Sequence, residues 1–216
     1  MKKQKLNKRN LRMTVIAGAV LIIGVLIMCI VISTGKWHKN KDMPVRAKLS
    51  APAIDEMFLT PNEYSRPQLP LKSVKGIVVH YTANPGTDAE DNRNYFENLR
   101  KSKTTYVSSH FIIGIKGDII QCIPLDEIAY ASNERNKDTI SIECCHKNKN
   151  GKLTKETYNS LVELTAWLCS EYKLDADDVI RHYDVTGKAC PLYFVEHEDK
   201  WREFRSDVKT ELYNKW

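Results

Sequence analysis

The sequence Gly76-Ile77-Val78-Val79-His80-Tyr81-Thr82 is a short apolar run that leads into a histidine. Short runs rich in Val and Ile are typical of buried strands. A second run of this kind, Val179-Ile180-Arg181-His182, lies about a hundred residues further along and also ends at a histidine. We therefore expect two buried strands that each end at a histidine.

Further strand patterns lie between these two runs. Residues 110–115 and 119–123 are apolar and are separated by Lys116-Gly117-Asp118, which predicts a hairpin. Residues 139–145 alternate in polarity and predict another strand.

Helix patterns alternate with these strands. Residues 87–90 have the Ser/Thr-x-x-Glu form of a capping box and predict the start of a helix that reaches about Lys101. Apolar residues at helical spacing predict further helices over 155–173 and 198–212. Strands interleaved with helices, together with one hairpin, predict an α/β fold with a mixed central β-sheet and helices on both faces.

With 216 residues the chain suits one compact domain plus attachments.

The net charge of +6 comes from the N-terminus. The whole chain has 33 basic and 27 acidic side chains, and removing six basic residues before the first apolar run leaves 33 − 6 = 27 of each. No nucleic-acid partner is therefore expected. The six are Lys2, Lys3, Lys5, Lys8, Arg9 and Arg12.

Residues 13–33 form 21 consecutive positions without a charged side chain. A helix of this length is about 30 Å long, which matches the hydrocarbon core of a membrane. The alternative is a cleaved signal peptide, but the apolar run exceeds the usual ~7–15 residues and no small-x-small cleavage site follows it. We expect an uncleaved signal anchor, with the cations before it in the cytoplasm and the rest of the chain outside.

These observations divide the chain into four parts. We predict a cytoplasmic stub at 1–12, a transmembrane signal anchor at 13–33, an extracytoplasmic linker at 34–71 and a catalytic domain at 72–216. The linker assignment depends on a polar composition without periodicity and on five prolines, with its last third along the domain surface. These are Pro44, Pro52, Pro61, Pro67 and Pro70.

His80, His182 and Cys190 are candidate metal ligands because each ends or follows a strand-like run. Two imidazoles and a thiolate suit Zn²⁺, and three protein ligands leave a fourth position open for water. Taken singly, His80 could be a packed core histidine and Cys190 a small buried apolar residue.

Five motifs in order resemble a known family. After the strand that ends at His80, the chain reads Ser-His-Phe-Ile-Ile at 109–113, Gly-Asp-Ile-Ile-Gln at 117–121, Ser-Ile-Glu at 141–143 and Arg-His-Tyr-Asp-x-x-x-Lys-x-Cys-Pro at 181–191. This order resembles the zinc-dependent N-acetylmuramoyl-L-alanine amidases of the type 2 amidase family, whose fold peptidoglycan recognition proteins share. The resemblance runs from about Lys75 to Cys190.

The resemblance implies site residues and a reaction. His80, His182 and Cys190 would be zinc ligands, Glu143 the catalytic acid and base, and Lys188 the partner of the developing oxyanion. The substrate would be the peptidoglycan amide between N-acetylmuramic acid and L-alanine, and no organic cofactor would be needed. From the residues alone, Glu143 could instead lie on a solvated strand face and Lys188 could be an ordinary exposed lysine.

One residue departs from part of the family. The lysozyme-type phage amidases have a functional Tyr immediately before the His of the His-Phe-Ile-Ile motif, where this chain has Ser109, and the cell-wall hydrolase branch has a small residue there. Ser109 therefore favours the Glu143 mechanism. His110 is expected to lie behind the metal ligands, to contact substrate or to be a packed strand histidine. Asp184 is a candidate for orienting either the motif loop or a ligand imidazole, and His146 is expected at the surface. Tyr106 does not align with the Tyr of the phage amidases.

Two functions of other classes remain possible from the sequence. A non-catalytic peptidoglycan sensor would keep the groove and lose the metal, whereas an interaction protein would use the domain only to bind a partner. Cys190 argues against the first and the pair Glu143 and Lys188 against the second. We expect a catalytic domain at the outer face of the cell membrane of a Gram-positive bacterium; the oligomeric state is not predicted.

Overall fold

The computed structural model describes residue 46 and residues 48–213. The predicted stub at 1–12 and the predicted transmembrane helix at 13–33 lie outside the described residues. Within the described ranges, no helix combines the length and the apolar composition needed to cross a membrane.

A six-stranded sheet forms the centre of the domain. Its strands are β1 (Asp55–Glu56), β2 (Ile77–Tyr81), β3 (Phe111–Ile113), β4 (Ile119–Gln121), β5 (Ile140–Cys144) and β6 (Val179–Arg181). They lie in the spatial order β1-β4-β3-β5-β2-β6. The hairpin pair β3 and β4 is antiparallel, and the other neighbouring strands are parallel. The predicted hairpin and mixed sheet are confirmed.

Helices cover both faces of this sheet. They are α1 (Ala89–Ser102), α2 (Lys155–Tyr172), α3 (His182–Thr186), α4 (Leu192–Glu196) and α5 (Glu198–Tyr213). On one face, Phe96 and Leu99 of α1 belong to the same apolar cluster as Ile112 of β3. On the other face, α2 and α5 form a larger core with the inward side chains of β2, β3 and β5. The expected α/β architecture is therefore confirmed.

The alternation of side chains along a strand determines which residues point into the larger core and which point to the other face of the sheet. Ile140 and Ile142 of β5 point into the core with α2 and α5, so Glu143 points to the opposite face. The same alternation applies to β2, where Val79 is in this core and His80 is on the other face. The register places His80 directly beside Glu143. Two predicted site residues thus lie side by side where β2 and β5 end.

The cap of α1 differs from the predicted Thr87–Glu90 capping box. Asp88 is the N-cap, its carboxylate accepts from the Asp91 amide at 2.9 Å, and the Asp91 carboxylate accepts from the Asp88 amide at 3.2 Å. The Thr87 hydroxyl instead donates to the carbonyl of Asn84. A carboxylate at the N-cap also interacts favourably with the positive end of the helix dipole. This interaction favours Asp88 over Thr87 as the cap.

The predicted linker at 34–71 is too long. Leu49 and Leu71 are buried in the larger core and Leu59 in the smaller one, and β1 pairs with the outer edge of β4. These leucines remove apolar surface from water, and β1 satisfies backbone groups that the edge of β4 would otherwise expose. Residues 48–71 are therefore part of the folded domain.

The first and last described parts of the chain lie together. The Arg46 guanidinium is 5.9 Å from the centre of the Tyr213 ring. Both side chains also contact Asp175, since Arg46 lies 3.5 Å from its carboxylate and the Tyr213 hydroxyl donates to it at 2.7 Å. The amino-terminal segment is thereby fixed against α5.

Candidate active site

Three predicted metal ligands meet at one edge of the sheet. His80 is the penultimate residue of β2, His182 begins α3 directly after β6, and Cys190 precedes α4. Because β2 and β6 are parallel neighbours, their carboxyl ends meet at the same edge. The three residues are buried, and one donor atom from each lies within 4.8 Å of the others.

The two imidazoles are oriented by consecutive residues of one loop. Nε2 of His80 is 3.1 Å from the Ser132 hydroxyl, and Nε2 of His182 is 3.0 Å from the side-chain oxygen of Asn133. An amide oxygen only accepts, so Nε2 of His182 carries the hydrogen and its Nδ1 has a free lone pair. Nδ1 of His80 lies 3.8 Å from the Cys190 sulfur. Both rings therefore keep Nδ1 free to bind a metal.

The donor set and its spacing fit zinc. Nitrogen and sulfur ligands at the usual zinc distances in a tetrahedral site are separated by about 3.6 Å, close to the distance between His80 and Cys190. Burial, and then the charges of His182 and Lys188, hold the pKa of His80 well below its ordinary value, so this imidazole is neutral. Neutral imidazole is the form that binds metal.

The thiol of Cys190 is protonated in the metal-free chain. Burial, and then the Glu143 carboxylate, raise its pKa to about 12. Since thiolate is the form that ligates zinc, metal binding must displace this proton.

Glu143 lies in the same groove as the metal donors. Its Oε2 atom is buried and has no hydrogen-bond partner among the described residues. Burial raises the pKa of Glu143 to about 7, against the opposing effect of the Lys188 charge. The alternative of a solvated strand face is therefore wrong, and this carboxyl group can gain or lose a proton near neutral pH.

Lys188 is exposed at the opening of the groove. Burial has the largest effect on the pKa values of His80 and His182, and the positive charge of Lys188 lowers both further. The same charge also lowers the pKa of Glu143. The ammonium group is therefore within electrostatic reach of the metal donors and the carboxylate.

The groove has a volume of about 460 Å³ and extends beyond the metal donors. Besides the predicted site residues, it is lined by Tyr95 and Phe96 of α1 and by Tyr106 and Tyr130 from the loops that flank β3 and β4. Tyr106 is 54% exposed. These aromatic residues had no role in the sequence interpretation.

Several other residues singled out in the sequence lie away from the donors. His110 is buried, with Nδ1 2.9 Å from the Ser141 hydroxyl and Nε2 3.0 Å from the Glu127 carbonyl. Ser109 is also buried and donates to the Ser141 carbonyl. Both are packed residues that join β5 to the chain before β3. The prediction that His146 lies at the surface is wrong, because this residue is 1% exposed and its ring stacks on Tyr81.

Arg181 belongs to the last motif, but the sequence reasoning assigned it no contacts. It is buried, and its guanidinium donates to both carboxylate oxygens of Asp184, to the Phe194 carbonyl at 3.0 Å and to Glu198 at 2.6 Å. Asp184 thus binds Arg181 and no imidazole. Because Arg181 precedes His182, this network fixes the turn that carries a metal donor. An arginine at the end of an apolar strand was the available signal.

The protein has an α/β fold with an open groove, and the groove contains a cluster of side chains that could bind a metal ion. The profile of the family described as N-acetylmuramoyl-L-alanine amidase matches residues 70–192. This chain therefore belongs to the N-acetylmuramoyl-L-alanine amidase family of the type 2 class.

Individual relatives carry the same activity in their names. The chain is 36% identical over 167 residues to a probable N-acetylmuramoyl-L-alanine amidase of Bacillus licheniformis, covering 72% of this chain and 47% of the relative. It is 37% identical over 171 residues to the amidase CwlL of the same species, covering 73% and 47%. The chain thus spans about half the length of the curated relatives it matches.

Solved structures match the domain closely. The structure of PlyL has a TM-score of 0.64 at 28% identity and covers 74% of this chain and 99% of that chain. The catalytic domain of XlyA has a TM-score of 0.62 at 26% identity and covers 73% and 99%.

Proposed function

We propose that this chain is a zinc-dependent hydrolase of the peptidoglycan amide between N-acetylmuramic acid and L-alanine. The observation that carries the proposal is the pairing of three metal donors with an unpartnered, buried Glu143 carboxyl group in one groove. The names of the relatives support this choice of bond. A peptidoglycan sensor would need neither a metal nor a carboxyl group with a pKa near 7.

Zinc, when bound, would polarise the amide carbonyl and lower the pKa of a bound water. Glu143 would remove the proton of the attacking water and pass it to the leaving amine, because its pKa of about 7 allows both steps at neutral pH. Lys188 would supply positive charge that stabilises the carbonyl oxygen as it becomes negative.

Product analysis tests this function. The full chain, purified in mild detergent, is expected to release stem peptides with a free L-alanine amine from purified cell walls, as read by mass spectrometry. Cys190→Ser is expected to lower both zinc content and release, because a hydroxyl is a poorer zinc ligand than a thiolate. Binding of cell walls without release by the zinc-loaded protein would instead support a sensor.

The loop of Ser132 and Asn133 offers a test that is independent of turnover. Ser132→Ala and Asn133→Gly are each expected to weaken zinc binding by about 10–100-fold, since both remove the partner that orients a ligating imidazole. Glycine suits position 133 because Asn133 has a φ of 52°. Asn133→Asp keeps an acceptor oxygen and is expected to bind zinc nearly as the parent does.

Chelator competition measures these affinities. Ser73→Ala, at an exposed serine, is the matched control for Ser132→Ala. Unchanged zinc affinity in both Ser132→Ala and Asn133→Gly would show that the loop does not orient the ligands.

We also propose that residues 13–33 anchor the domain at the outer face of the cell membrane. The support is the run of 21 residues without a charge that follows six cations. Peptidoglycan, the proposed substrate, lies on that side of the membrane.

Topology is tested in intact cells. The protein is expected to stay with membranes in a high-salt wash, and protease added to protoplasts is expected to remove the domain and spare residues 1–12. A secreted product that begins after residue 33 would identify a cleaved signal peptide instead.

A further inference from the structure

Two tyrosines line the groove away from the metal donors, and a third tyrosine packs against one of them. We call Tyr64, Tyr106 and Tyr130 the tyrosine shelf. Tyr64 stacks on Tyr106 with ring centres 4.9 Å apart, and Tyr130 meets Tyr106 edge to face at 5.9 Å. Tyr106 and Tyr130 line the groove. Although two rings pack against it, Tyr106 stays 54% exposed where it lines the groove.

The shelf is held in place before any ligand arrives. The Tyr106 hydroxyl donates to Glu63 at 2.9 Å. The Val107 amide donates to the Tyr64 carbonyl, and the Ser108 amide donates to the Tyr130 carbonyl. The three rings therefore come from segments that are hydrogen-bonded to one another. A rigid ring loses little conformational entropy on binding, which favours a role in recognition.

The shelf end of the groove is chemically unlike the metal end. Among the described residues that line the groove, Glu143 and Lys188 carry charge, and Lys188 acts electrostatically on the metal donors. Near the shelf the groove is lined by uncharged side chains such as Val107, Ala131 and Asn136. The carboxylate of Glu63 binds the Tyr106 hydroxyl and also acts electrostatically on Tyr130.

This chemistry favours one part of the proposed substrate. A peptide stem carries carboxylates, which need positive partners and which Glu63 would repel. An N-acetylated sugar is uncharged, and it has an apolar ring face and polar groups at its edge. Aromatic rings can pack against such a face, and neutral amides can bind its hydroxyl and acetamido groups.

We infer that the tyrosine shelf binds the glycan of peptidoglycan, with the face of an N-acetylated sugar ring on Tyr106. This inference rests on the proposed function, because it names the part of the same substrate that the groove holds beside the scissile amide. The shelf determines substrate preference and has no part in the chemical step.

Soluble muropeptides with one common stem and increasing glycan length test the inference. For the parent protein, KM is expected to fall as sugars are added beyond the muramic acid. Tyr106→Ala is expected to abolish this gain, raising KM for the longer glycans by about 3- to 10-fold with kcat unchanged, since stacking of aromatic rings has an effect of this size. Tyr106→Phe keeps the ring and is the matched control, expected to retain the dependence on glycan length.

Three results would overturn the inference. In the first, Tyr106→Ala leaves KM unchanged for every substrate, and in the second it raises KM equally at all glycan lengths. In the third, Tyr106→Ala changes the dependence of KM on stem length and not on glycan length. This third result would place the peptide on the shelf. Thermal unfolding and zinc content must match the parent for these comparisons.

A binding experiment separates this inference from the proposed function. Glu143→Gln, which is expected to be inactive, is titrated with oligomers of N-acetylglucosamine that have no peptide, with and without Tyr106→Ala. Binding that depends on Tyr106 would support the shelf even if the parent protein released no stem peptide. Absence of binding at millimolar oligomer, with the parent protein active, would refute the shelf and leave the amidase proposal intact.

Discussion

Glu143→Gln is expected to lower turnover by about 10²–10⁴-fold while zinc content stays at the parent level. The substitution keeps the size and shape of the side chain but removes the group that accepts and returns the proton. Turnover is measured on a soluble muropeptide with protein of known zinc content. Because Glu143 is not one of the three donors in the metal cluster, a loss of activity cannot be ascribed to a missing ligand.

The same variant is expected to be more stable than the parent in the metal-free state. Burial raises the folded pKa of Glu143 from 4.5 to about 7, so the folded protein loses stability as pH rises between these values. Above pH 7 that loss is about 3 kcal/mol, from 1.36 kcal/mol per unit of pKa shift. Glutamine has no charge to bury, so urea unfolding at pH 8 is expected to show the gain and unfolding at pH 4 is not.

Lys188→Ala separates the two chemical roles. It is expected to reduce turnover by about 10²–10³-fold with a smaller effect on KM, because positive charge is needed most when the carbonyl oxygen becomes negative. Parent-like turnover in zinc-loaded, folded Glu143→Gln and Lys188→Ala would refute the proposed mechanism and leave the metal site untouched.

Arg181→Met is expected to destabilise the protein by about 1.5–3 kcal/mol, since it removes charged hydrogen bonds to Asp184 and Glu198 and leaves the buried Phe194 carbonyl without its donor. Zinc affinity is expected to fall as well, because the network of Arg181 holds the turn that begins at His182. Arg181→Lys keeps the charge but cannot donate to two carboxylates in the same fork, so an intermediate loss is expected.

Arg205→Met is the matched control for this prediction. Arg205 pairs with Asp177, whose side chain is 91% exposed, so its removal is expected to cost less than about 1 kcal/mol. Urea unfolding compares the variants. Equal stability of Arg181→Met and Arg205→Met would contradict a structural role for the buried network.

Periodicity predicted the main strands and helices because their side chains divide between a core and a second face. It could not predict β1, since Asp55 and Glu56 are both exposed and form a strand only through backbone pairing with β4. Nor could it predict the burial of His146, which depends on stacking against Tyr81 from another strand.

The candidate site was predictable to the extent that its chemistry lies within motifs. His80, His182 and Cys190 were found because each follows a recognisable run, and the structure brings them together. Ser132 and Asn133 are 52 and 49 residues from the histidines that they orient, so no local pattern links them. The tyrosine shelf likewise joins distant segments and becomes visible only in three dimensions.

The contact of Arg46 with Tyr213 and Asp175 has a consequence for chain connectivity. Because the two ends of the described domain meet there, a short glycine-rich connection from residue 213 to residue 46 should close the backbone with little strain. New ends could then be opened in the exposed turn at 147–150. Such a circular permutant should retain the groove, because the new ends would lie in none of the segments that carry His80, His182 and Cys190.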